Sequence, residues 1–168
     1  MEARDNSGRF VYIENDEIVD ILFRNFAGAP DKFHQNGQMS NFWLVLKEDK
    51  AQELLDKGLN VRTFTNRDGD QEYRLQVFAN YLGKFPPTIY KKCGNNKILL
   101  DEDSIGDLDR DEIIAINLKI SPYHWEFNGN SGCKAYISKG LFEILEDRID
   151  MMFQDGVVDD IEEDLPWN

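Results

Sequence analysis

Residues 112–145 carry the clearest hydrophobic pattern in the chain. From Glu112 to Phe127, apolar Ile114, Ile116, Leu118 and Ile120 alternate with Ala115, Asn117 and Lys119. A period of two marks a strand with one buried face. Asn128-Gly129-Asn130-Ser131-Gly132 follows, and Asn and Gly accept the positive φ that tight hairpin turns demand. Cys133 to Ile144 then reads as the return strand, with Tyr136, Ile137, Leu141 and Phe142. Such a hairpin has a core face and an outer face. Depending on register, the outer face carries Tyr123, Trp125, Lys134 or Tyr136; each of these aromatics could equally belong to a core.

Upstream, the pattern predicts further strands. Phe10 to Ile13 suits an edge strand. Glu17 to Phe26 is a longer one, placing Val19, Ile21 and Phe23 on one face and Asp20, Leu22 and Arg24 on the other. Gly28-Ala29-Pro30-Asp31 breaks it, and 32–40 reads as a loop. Asn41 to Leu46 is nearly all apolar, as a central strand is. The period changes between Glu48 and Lys57, where Ala51, Leu54 and Leu55 predict a helix capped by Gly58. Asn60–Phe64 and Glu72–Tyr81 flank the turn signal Asp68-Gly69. Pro86-Pro87 forces extended chain. Thr88–Lys92 and Lys97–Leu100 form another short hairpin across Gly94-Asn95-Asn96, and Asp101–Asp109 reads as a turn or short helix. The stretch 143–153 fits strand or short helix. Many strands, short turns and one or two short helices predict an all-β fold, a barrel or sandwich. The domain is expected to span 1–153, followed by a flexible acidic tail over 154–168.

Composition narrows the chemistry. The 168 residues suffice for one domain with a core. No apolar run reaches the roughly 18 residues of a membrane helix, and Met1-Glu2-Ala3-Arg4-Asp5 does not open like a signal peptide. Cytoplasmic residence is the expectation. Cys93 and Cys133 then read as free thiols. With His34 and His124 they lack the spacing of a zinc site. Asp101-Glu102-Asp103-Ser104-Ile105-Gly106 with Glu112 partly matches a calcium loop, but Ile105 stands where an oxygen ligand belongs. A charged turn is the better account. Gly129 to Lys134 lacks phosphate-loop spacing, and Ser104 with His124 has no nucleophile elbow. Abundant acids alone do not make a magnesium nuclease. The expectation is a protein that is not an enzyme and needs no cofactor or metal.

The net charge of −13 argues against a nucleic-acid surface unless that surface is local. The acids concentrate at the end: Asp155, Asp159, Asp160, Glu162, Glu163 and Asp164 precede Leu165-Pro166-Trp167-Asn168. An apolar tip on an acidic lead suits docking into a basic-rimmed pocket of a partner protein. Cations beside aromatics also recur: Arg24 with Phe26, Lys32 with Phe33, Arg62 with Phe64, Tyr73 with Arg74, and Tyr90 with Lys91 and Lys92. Stacked bases and a phosphate backbone need that pairing; a long cation lying over a core aromatic gives the same sequence signal.

The motifs Arg24-Asn25-Phe26-Ala27-Gly28, Asn41-Phe42, Gly58-Leu59-Asn60-Val61, Pro86-Pro87 and Leu100-Asp101-Glu102-Asp103 lead to the densest one. That is Pro122-Tyr123-His124-Trp125-Glu126-Phe127-Asn128-Gly129 followed by Gly132-Cys133-Lys134-Ala135-Tyr136. With them, residues 17–153 resemble the bacteriophage-type single-stranded-DNA-binding proteins with an OB fold. The resemblance implies an OB-fold-like barrel with hairpin extensions that coats single-stranded DNA, with little sequence preference, during phage replication, recombination or repair in the bacterial host cytoplasm. The candidate DNA-binding residues are Arg24, Phe26, Phe33, Trp43, Arg62, Phe64, Tyr73, Arg74, Tyr90, Lys91, Trp125, Lys134 and Tyr136. The resemblance also implies a tail, Asp159, Asp160, Glu162, Glu163, Asp164, Leu165, Pro166 and Trp167, that competes with DNA and recruits replication and recombination proteins. The family's tails commonly end in a Pro-Phe-type tip, from which Pro166-Trp167-Asn168 departs. Homo-oligomers are compatible with this reading. The contrasting reading, motivated by the net charge, is an acidic protein-binding module that mimics DNA and inhibits a host protein.

Overall fold

The computed structural model describes residues 10–145. The acidic tail, and the expected strand or helix beyond Ile144, lie outside the described residues. The fold is all-β, with nine strands, one α-helix and two short 3-10 turns among them. The strands are β1 (Val11–Ile13), β2 (Ile18–Asn25), β3 (Ser40–Leu46), β4 (Arg62–Thr65), β5 (Gln71–Ala79), β6 (Thr88–Cys93), β7 (Asn96–Leu100), β8 (Ile113–Phe127) and β9 (Asn130–Ile144); helix α1 is Glu48–Asp56.

The long hairpin organises the rest. Asn128 (φ 52°) and Gly129 (φ 81°) turn β8 into β9, and the two pair from Phe127↔Asn130 to Ile113↔Ile144. The other edge of β9 is divided. Near its start it pairs in parallel with β5, Phe78 opposite Tyr136. Further on it pairs in parallel with β6, from Thr88↔Lys139 to Cys93↔Ile144. The sheet runs β1-β8-β9-β5-β3-β2, with β4 on the free side of β5 and β7 on β6. Its first and last members, β1 and β2, are joined by the turn at Asn15–Glu17. So short a link requires the sheet to curl until its ends approach, leaving a barrel open at that seam. Asn15 fastens the seam: its backbone N–H donates to Asn117 Oδ1 at 3.1 Å, and Ile116 N–H donates to Asn15 Oδ1 at 2.9 Å.

The predicted helix forms, burying Ala51 and Leu54 in the core. Gly58 at φ +89° ends it. The Leu59 N–H then returns to the Leu54 carbonyl, satisfying a last-turn acceptor. Lys50, though buried, reaches Glu53 at 3.1 Å and Glu17 at 3.5 Å, which ties the helix to the seam turn.

Two strands depart from strict alternation. Ile116, Leu118 and Ile120 are buried as predicted, but Ile114 is half exposed. A register shift between Ile113 and Ala115 moves it out of phase. In β2, Val19 and Phe23 are exposed rather than facing the core. Register shifts fall between Ile18 and Asp20 and between Leu22 and Asn25, so one alternation cannot run the length of the strand.

Candidate nucleic-acid interface

Strict alternation in β5 sorts its residues. Leu75, Val77 and Ala79 enter the core, while Arg74, Gln76 and Phe78 share the outer face. Its neighbours extend that face by register. Trp43 of β3 lies opposite Gln76, Arg62 of β4 opposite Arg74, and Tyr136 of β9 beside Phe78. Across the hairpin, Tyr123 faces Lys134 and Trp125 faces Gly132. Part of this face forms a groove of about 430 Å³ lined by Trp43, Arg62, Gln76, Phe78, Trp125 and Lys134, among others. A second hollow, sharing Trp43 and Gln76, continues it past Phe23 to the loop bearing Asp31, His34 and Gln38.

Cations lie over rings along the whole path. Arg62 is 5.6 Å from the Trp43 ring centre, Lys134 5.2 Å from Phe78, and Arg74 4.3 Å from Phe64 and 5.7 Å from Phe23. Each contact contributes about 0.5–1 kcal/mol at an exposed site, and it holds a positive head beside an aromatic face. Arg74 is also fixed by Glu72 at 2.7 Å. Tyr136 stands 6.1 Å from Phe78 and 5.9 Å from Tyr123. Burial, and then the neighbouring Tyr123, push its phenol above the usual range. Beneath the rings, Gln76 Nε2 donates to Asn41 Oδ1 at 3.1 Å, and Asn41 Nδ2 donates to the Met39 carbonyl. Gly132 allows Trp125 to lie flat: a Cβ there would come within 2.6 Å of the indole Cζ2.

Of the predicted residues, the structure brings together Trp43, Arg62, Phe64, Arg74, Trp125, Lys134 and Tyr136. Phe33 is four-fifths exposed on the loop at the far end, with Lys32 5.1 Å from its ring. Arg24 lines the second hollow; Phe26, Tyr73, Tyr90 and Lys91 do not join. Phe26 is a core residue, 1% exposed, stacked 4.7 Å from Phe42 and edge-on to Phe142. Arg24 donates through Nη1 to the carbonyls of Leu108 and Asp111, which clamps β2 to the 105–109 turn. Tyr73 alternates with Arg74 and packs against the core. Lys91 is mostly buried and neutralised by Asp111 at 2.9 Å. Tyr90 lines a different groove.

Phe23 and Phe78 are groove aromatics that the sequence reading missed. For Phe78 a signal was present, because Arg74 and Gln76 stand four and two residues before it on one face of a strand. Phe23 gave none, because its outward direction depends on a positive φ of 51°.

In the calcium-like segment, Asp101 and Ser104 use their side-chain oxygens internally. Asp101 Oδ1 accepts from the Asp103 and Ser104 amides and from the Ser104 hydroxyl, which holds that carboxyl below its usual range, the Ser104 hydroxyl first among the causes. Among the described residues, no helix is long and apolar enough to cross a membrane.

The family model "Putative phage ssDNA-binding domain" matches residues 9–165. No curated protein matches the sequence significantly. Among solved structures, the C-terminally truncated single-stranded DNA-binding protein from bacteriophage Enc34 aligns with a TM-score of 0.52 at 9% identity, over 82% of this chain and 87% of that one. The Enc34 protein in complex with single-stranded DNA gives 0.51 at 10% identity, over 80% and 86%. Likeness at such low identity is one of fold, and it agrees with an OB-type barrel. The family match covers nearly the whole sequence, so the chain belongs to the phage single-stranded-DNA-binding domain family.

Proposed function

We propose that the chain coats single-stranded DNA during phage replication and recombination in the host cytoplasm, without catalysis and with little sequence preference. The observation that supports this most is the row of Arg and Lys heads over the rings of Phe23, Phe64, Trp43 and Phe78. Every base has a π face, so stacking is indifferent to sequence, and each stacked base contributes about 1–3 kcal/mol. Arg62 and Lys134 then meet the phosphates between bases, while Arg74, paired with Glu72, holds the rings of Phe23 and Phe64. A chain of net charge −13 needs only this stripe to be positive.

In this reading the acidic tail, Asp155 to Asn168, competes with DNA for the groove and hands partner proteins its Leu165-Pro166-Trp167 tip. Titrating oligo-dT into the full chain and into a version ending at Phe153, at two salt concentrations, tests both parts. Trp43 and Trp125 line the groove, so quenching is the expected signal, and affinity tightens when the tail is removed. Flat fluorescence with no gel retardation would refute DNA coating and favour the acidic protein-binding module.

A further inference from the structure

A second groove, of about 490 Å³, lies beside β1 and β6. Ile13, Leu118 and Leu141 contribute its apolar lining, and Lys97, Lys119 and Lys139 bring three positive heads to it. Lys119 and Lys139 are directly opposed across the β8–β9 ladder. Like charges in that position repel. No carboxylate among the described residues pairs with any of the three: Lys97 lies 4.4 Å from the Tyr90 ring and Lys119 4.1 Å from Phe10. Glu14 also lines the groove, and its backbone, not its carboxylate, is tied to Glu17: its carbonyl accepts the Glu17 N–H at 2.9 Å and its N–H donates to Glu17 Oε1 at 2.8 Å. In so acidic a protein, three unneutralised lysines beside Tyr12 and Tyr90 reproduce the chemistry of the first groove.

The register joins the two. On the outer face of the hairpin, successive rungs are Trp125–Gly132, Tyr123–Lys134, Ser121–Tyr136 and Lys119–Lys139. The shift between Lys119 and Ile120 is absorbed at Ser138, so Lys139 stays opposite Lys119. Tyr123 and Lys119 are four residues apart on one strand face, about 13 Å. We propose that the DNA path does not end at Tyr123 and Trp125 but continues over the hairpin to the Lys97–Lys119–Lys139 groove, which binds the next phosphates and bases of the same single strand. This rests on the reading of the first groove as the primary DNA site.

The test uses the full chain and the substitutions Lys97→Gln, Lys119→Gln and Lys139→Gln, singly and combined, with circular dichroism confirming the fold. Oligo-dT of about 8 and of about 16 nucleotides, within the range of OB-fold site sizes, are the probes. Wild-type protein binds both. The triple variant keeps its affinity for the short strand and loses about tenfold or more for the long one, and its salt slope on the long strand falls by about 0.7 per lysine removed. If the triple variant does not fold, Lys139→Gln alone serves, with a slope change of about 0.7. Unchanged long-strand affinity and slope overturn the extension. So does loss of binding to a peptide of residues 155–168 with DNA binding intact, which would assign the groove to the tail. Failure of wild-type protein to bind the short strand is a different result and sinks the primary site.

Discussion

Arg24-Asn25-Phe26 and Arg62-Thr63-Phe64 share one sequence pattern and have opposite fates. Phe26 is buried against Phe42 and Phe142, and Arg24 is held by two backbone carbonyls. Phe64 is 39% exposed beneath Arg74, and Arg62 lies over Trp43. What differs is what covers each strand. The end of β2 is overlaid by the 105–109 turn, whose Asp109 carboxylate accepts from the backbone N–H groups of Phe26 and Ala27. β4 is a short edge strand that pairs only with β5 among the described residues, so its side chains stay on the open face. An Arg-x-Phe pattern therefore reports a cation near a ring, and the tertiary cover decides whether the pair serves stability or binding.

Truncating the two rings gives the largest effect. Phe26→Ala removes a stacked core ring and is expected to cost about 3–5 kcal/mol of stability, with the DNA affinity of the molecules that remain folded unchanged. Phe64→Ala is expected to change stability by less than about 1 kcal/mol and to weaken oligo-dT binding by about 1–3 kcal/mol. Urea denaturation and fluorescence titration of both variants check this. If Phe64→Ala proves as destabilising as Phe26→Ala, the contrast between core and groove fails.

The sequence was most legible where one face of a strand is uniformly covered. The helix, the Asp68-Gly69 and Asn128-Gly129 turns, and the buried Ile116, Leu118 and Ile120 all follow from periodicity and turn chemistry. Legibility failed at bulges and at sites of long-range cover. Ile114, Val19 and Phe23 lie beside register shifts that carry no signature in composition. Arg24 and Lys91 look free in the sequence because their partners, Leu108 and Asp111, are far along the chain. The parallel pairing of β9 with β5, which brings Phe78 to Tyr136 and Lys134, is equally non-local.

Phe23 sharpens the contrast within a single strand, because it is an exposed ring held at φ 51°. A bulky residue there carries backbone strain of order 1–3 kcal/mol, whereas Asn accepts this region more readily. Phe23→Asn is expected to raise stability by about 1 kcal/mol while weakening DNA binding, since Arg74 loses one ring and the groove loses a stacking surface. Thermal melts and titration on the same sample measure both signs. A variant that is less stable than wild type would show that the ring supports the fold rather than the groove.

The smallest effect separates two tyrosines by pH. Tyr81 packs against the core, and its hydroxyl donates to the Leu100 carbonyl at 3.5 Å. Burial, with the nearby Asp101 anion, pushes its phenol up to about 12 from an ordinary 10.0. The unfolded chain ionises this group first, so the folded state is disfavoured progressively as pH rises from 10.0 to about 12. Below that window the group contributes no pH dependence. Tyr136 is shifted in the same direction, by burial and then by Tyr123, but in the proposed function DNA covers Tyr136 and leaves Tyr81 untouched. Ultraviolet titration of phenolate is therefore expected to show Tyr81 ionising last and indifferent to oligo-dT. The Tyr136 signal moves further upward when DNA is bound, because phosphates disfavour a second anion. Tyr81→Phe should flatten the alkaline loss of stability, and Tyr136→Phe should remove the DNA-dependent shift. Exchange of those two outcomes would reverse the assignment of core and groove to the two residues.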